Sequence, residues 1–68
     1  MKNLEPWQYR LLVERNELRD RCEKLLNFII SDKFHEVELD QQELLKAQAD
    51  YMGDYLNILN QRIIKIEA

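Results

Sequence analysis

The side chains with the widest chemical reach in this chain are five cations in its first half: Arg10, Arg15, Arg19, Arg21 and Lys24. Guanidinium and ammonium groups at this density can neutralise phosphates, so a nucleic-acid contact is one reading of the segment. Glu14, Glu17, Asp20 and Glu23 are interleaved with them. Glu17–Arg21 and Asp20–Lys24 have the acid-first i,i+4 order that forms ion pairs along a helix, at about 0.2–0.5 kcal/mol each. The chain as a whole has 13 acidic against 10 basic residues and a formal net charge of −3. A solvated, ion-paired helix face therefore ranks above a phosphate-binding one.

Other reactive groups are sparse. Glu14, Arg15, Gln48 and Arg62 fall close to apolar positions, and their roles stay open from sequence alone. A buried Glu14–arginine pair is the expected arrangement, because charge is tolerated inside a fold only when paired. Such a polar layer sets register and oligomeric state more than stability. His35 stands beside Glu36 and Glu38, too few ligands for a metal centre, and no inward-facing E-x-x-H pattern accompanies it. Cys22 is the one cysteine, so the chain has no internal disulfide and no cysteine-based zinc cluster, which fits a reducing compartment. Among the aromatics, Trp7–Tyr9–Arg10 alone resembles a base-stacking platform. No glycine-rich phosphate loop, nucleophile elbow or paired carboxylates are present. The expectation is a protein that is not an enzyme, with no catalytic residues, no cofactor and no metal.

The elements that position these groups are helical. One glycine and one proline in 68 residues leave too little turn chemistry for a sandwich or barrel. The apolar runs are short and charged residues make up 34%, so no membrane span is expected. The start, MKNLEPWQYR, lacks the apolar segment of a secretory signal. The first helix is predicted over residues 5–30, with Asn3 or Glu5 as cap and Pro6 in the first turn. Its apolar stripe is Leu4, Trp7, Leu11, Leu18, Cys22, Leu25 and Ile29, with Glu14 and Arg15 at the slot where the stripe skips. The connection is residues 31–39. Asp40 and Glu43 form a capping-box pattern for a second helix over 41–66, and Leu39 and Leu44 a hydrophobic staple. That helix carries Leu45, Ala49, Met52, Leu56, Leu59, Ile63 and Ile66 at alternating steps of four and three, the period of a helix seam. A neighbouring stripe of Leu44, Tyr51, Tyr55 and Ile58 makes its apolar face wider than one seam needs.

Two equal helices and a short connection predict one all-α domain over residues 1–68, an antiparallel two-helix hairpin. A core this small rarely supplies more than about 3–5 kcal/mol. A homo-oligomer is expected, first of all a dimer forming a four-helix bundle, with Leu45, Ala49, Met52, Leu56, Leu59 and Ile63 at its interface.

The segments R10-L-L-V-E-R-N-E-L18, K24-L-L-N-F-I-I30, L44-L-K-A-Q48 and M52-G-D-Y-L-N-I-L-N-Q-R-I63 resemble a family of very small phage and prophage proteins. One member is the product of a short open reading frame in the exo–xis region of lambdoid phages. The resemblance covers Trp7 to Ile63. It implies a non-enzymatic early phage protein of the host cytoplasm, from a genomic region associated with favouring lytic development over lysogeny. Apolar surface beyond the needs of one hairpin, without a catalytic constellation, makes a helical interaction or regulatory module the leading reading, with a host or phage regulatory protein as its partner. A nucleic-acid-binding regulator using the five first-helix cations is the alternative. The motif of those small phage hairpins that take up cyclic-nucleotide defence signals is not apparent.

Overall fold

The computed structural model describes residues 3–67. Met1, Lys2 and Ala68, the ends of the expected 1–68 unit, lie outside the described residues. Helix α1 is Pro6–Ile29, a single turn of 3-10 helix follows at Asp32–Glu36, and helix α2 is Leu39–Glu67. The helices pack against each other as a hairpin, a rod of 49 × 15 × 15 Å.

Pro6 opens α1, where its missing N–H has no helical partner to lose. Glu5 caps it: the Gln8 side chain reaches back so that its Oε1 accepts the Glu5 N–H at 2.7 Å. Of the predicted stripe, Leu11, Leu18 and Cys22 are buried, Leu4, Leu25 and Ile29 are half-buried, and Trp7 is exposed. Leu11, Leu18 and Cys22 of α1 meet Leu59 and Ile63 of α2 in one cluster, flanked by Leu12, Met52, Leu56 and Ile66. At the skipped slot the expected Glu14–arginine pair does not form. Glu14 is exposed and no charged side chain is buried among the described residues. Arg15 instead crosses to α2, donating to Asn60 Oδ1 at 3.0 Å. Arg15 is half-buried rather than buried, which avoids the full desolvation that a buried pair would have had to offset.

The turn closes without glycine. Ser31 donates both its N–H and its hydroxyl to the Phe28 carbonyl, at 3.0 and 2.6 Å, and ends α1. The 3-10 turn then drives Phe34 into the end of the hairpin, 3% exposed. Its ring meets Phe28 edge-on at 6.0 Å between centroids, with Lys46 Nζ 5.8 Å from the ring centre.

Helix α2 starts two residues earlier than the capping pattern predicts. Asp40 lies in the first turn, its Oδ1 accepting only the neighbouring Gln41 N–H at 2.8 Å. The Gln42 N–H reaches the Glu38 carbonyl at 2.9 Å, and Gln42 Nε2 holds the Val37 carbonyl at 2.7 Å. With the start shifted, Leu39 and Leu44 both point outward, 77% and 62% exposed, and form no staple.

Candidate functional site

The expected oligomer seam turns out to be the inside of the hairpin. Leu59 and Ile63 are 1% and 5% exposed. Met52 and Leu56 pack on the same cluster, and Leu45 and Ala49 are half-buried. A single copy needs this stripe to cover α1, so it does not stand free for a second copy.

What stays free is the adjacent stripe. Leu44, Gln48, Tyr51, Tyr55, Ile58, Arg62 and Lys65 each precede one inner position by one residue, about 100° round the helix. All seven are exposed. Leu44, Tyr51, Tyr55 and Ile58 form an apolar band along α2, and the sequence pattern had marked these four as surplus to the seam.

The first-helix cations do not converge. About a line through Leu11, Leu18 and Cys22, Arg10, Arg21 and Lys24 leave on one flank of α1 and Arg15 and Arg19 on the other. Arg21 faces Glu17 at 3.7 Å and Lys24 faces Asp20 at 2.9 Å, both in solvent. Arg15 is engaged with Asn16 and Asn60. Exposed i,i+4 pairs like these add little stability, but they do neutralise the charge that a phosphate contact would use.

Two other cations and an aromatic ring line one concavity. At the open end of the hairpin, Trp7 and Gln8 of α1 and Arg62, Lys65 and Ile66 of α2 line an open cleft of about 460 Å³. Beside it, Leu4, Gln8, Leu12, Ile63 and Ile66 enclose a smaller apolar hollow of about 50 Å³. Arg62 and Lys65, three residues apart, share one face of α2. Near the helix C-terminus they also offset the negative end of its dipole. An exposed indole next to two cations offers a flat apolar surface beside a positive field. That combination suits an anionic group attached to a planar one. Composition alone could not single out this cleft, because Trp7 and Arg62 come together only through the antiparallel packing.

Residues 5–65 match the family model for Sequestin. The chain belongs to the Sequestin family. No curated protein and no solved structure matches the chain. Among the described residues there is no cluster of His, Cys, Asp and Glu that could hold a metal ion. No helix is long and apolar enough to cross a membrane.

Proposed function

We propose that this Sequestin-family chain is a non-enzymatic binding module that acts by holding a target, and that it works as a homodimer forming a four-helix bundle. The family's name supports holding rather than turnover. The observation that carries the reading is the open-end cleft, where Trp7, Arg62 and Lys65 present an aromatic face and two cations together. The target is a host or phage regulatory protein offering an acidic, aromatic-bearing segment. The resemblance to small phage proteins supports a setting in the host cytoplasm early in infection, where such holding favours lytic development.

The cleft favours a second reading as well, a free small anion with a planar group. It replaces the arginine-rich face of α1 as the place for anion binding, since the α1 cations are divided between two flanks and partly ion-paired.

Trp7 is the one tryptophan, so its emission reports on the cleft directly. Titration with an aryl phosphate and with an acidic, tyrosine-containing peptide is expected to change that emission saturably. The combined variant Arg62→Ala, Lys65→Ala should weaken the response at least tenfold, whereas the variant Arg10→Ala, Arg19→Ala should not. A response to the peptide alone selects the protein target, and a response to the aryl phosphate alone selects the small anion. An unchanged emission with both probes would overturn the holding role of the cleft.

A further inference from the structure

The outer stripe of α2 leaves Leu44, Tyr51, Tyr55 and Ile58 exposed along one face, and three observations bear on its partner. The first is area. The chain exposes 5735 Å², whereas a compact monomer of 8.3 kDa would expose about 4,600 Å². The excess is about 1,100 Å² for one chain, more than one partner contributes to a standard interface. A face of the rod measures 49 by 15 Å, comparable with the roughly 800 Å² that a standard interface takes from each partner.

The second observation is spacing. The stripe repeats the seam period at Leu44, Gln48, Tyr51, Tyr55, Ile58, Arg62 and Lys65. A partner that matches this spacing along the full stripe is another α-helix. The third is charge. Helix α2 begins acidic, with Asp40 one turn before Leu44 and Glu43 beside it, and ends with Arg62 and Lys65 on the stripe. A parallel partner of the same sequence would set acid against acid and cation against cation. An antiparallel one sets the acidic start against the basic end.

We infer that the outer stripe of α2 docks on the same stripe of a second copy in antiparallel orientation, with Tyr51 of one chain opposite Tyr55 of the other. That register places Gln48 opposite Ile58, Leu44 opposite Arg62, and Asp40 beside Lys65. The pairing is isologous, as a two-fold dimer requires. It rests on the reading of the chain as a dimeric binding module and adds to it the face, the orientation and a consequence. Each open-end cleft comes to lie against the acidic start of the other copy's α2, so Arg62 and Lys65 serve both the pairing and the cleft, and an anionic target competes with Asp40 for them.

The test uses the whole chain. Sedimentation velocity at micromolar concentration should give a dimer for the unaltered protein. The variant Tyr51→Glu, Tyr55→Glu should sediment as a monomer, with a dissociation constant at least tenfold higher. Its helical circular dichroism should be retained, because both tyrosines are 45% or more exposed within one hairpin. Tyr9→Glu, on an outer face of α1, should leave the dimer intact. Orientation is read by mixing a Gln48→Cys chain with an Ile58→Cys chain under oxidation: mixed disulfide dimers should dominate over self-linked ones. The native Cys22 is buried and does not compete. A monomeric unaltered protein, a dimer that survives the double glutamate variant, or Gln48→Cys chains that link to each other as readily as to Ile58→Cys would each overturn the inference. A dimer whose Trp7 ignores both probes supports this pairing while overturning the cleft, and a Trp7 response in a monomer does the reverse.

Discussion

Gly53 sits in the middle of α2 with nothing within 4 Å of the position a Cβ would take. A helix interior pays for glycine in backbone entropy, at about 1 kcal/mol relative to alanine. Gly53→Ala should therefore stabilise the hairpin by about 1 kcal/mol, which raises the melting temperature of a chain this size by roughly 4–8 °C. A thermal melt followed by circular dichroism checks it, and a lower melting temperature would mean that another molecule packs close to this spot. At this scale much was readable from spacing. Cys22 fills a seam slot because a small apolar side chain stands where the period requires one, and both i,i+4 ion pairs follow from acid-first order. The Arg15–Asn60 hydrogen bond was not readable. Asn60 lies off every apolar stripe, and only the relative shift of the two helices brings it to Arg15.

The elements divide in the same way. Both helices follow from their periodicity, since a stripe several turns long can be buried only if the segment stays helical. The start of α2 was misplaced because Asp40 and Glu43 have the residue types of a capping box, yet the backbone accepts the Gln42 N–H at Glu38 and begins the helix there. An acid in the first turn is favourable as well, so Asp40 fits both starts and cannot choose between them. The turn itself depends on Phe34, whose ring closes the end of the hairpin in place of a glycine or proline. Phe34→Ala should cost about 3–5 kcal/mol, as for other fully buried phenylalanines, and denaturant unfolding should show the midpoint falling accordingly. Phe34→Leu should recover a large part of the loss. A loss below about 1 kcal/mol for the alanine variant would show that Ser31 and the Val37–Gln42 contact hold the turn without it.

For the whole molecule, α2 carries two stripes with different surroundings. The inner stripe packs the hairpin core, and the outer stripe is exposed on the single chain. Sequence periodicity identified both but could not rank them, because the choice depends on which one the antiparallel α1 covers. Substitutions should separate the two roles. Leu59 is 1% exposed at the centre of the core, so Leu59→Asp puts a carboxylate where no partner waits, at a cost above the ~3–5 kcal/mol that a core this small supplies. That variant should lose its helical signal, whereas Asp54→Asn, exposed on α2, should melt as the unaltered protein does.

Association predicts one more behaviour that folding within a single chain cannot produce. If the dimer is the principal folded state, unfolding releases two chains, and mass action makes stability depend on protein concentration. Each tenfold increase in concentration adds about 1.4 kcal/mol per dimer. With the unfolding entropy typical of two chains of this length, the melting temperature should climb by about 5 °C per decade. Melts across two decades of micromolar concentration measure the slope directly. The Tyr51→Glu, Tyr55→Glu variant should show no slope and a lower melting temperature, since it keeps the inner stripe and loses only the partner. A flat melt for the unaltered protein would mean that the few buried residues of one hairpin suffice on their own, and that the outer stripe of α2 is covered by something other than a second copy.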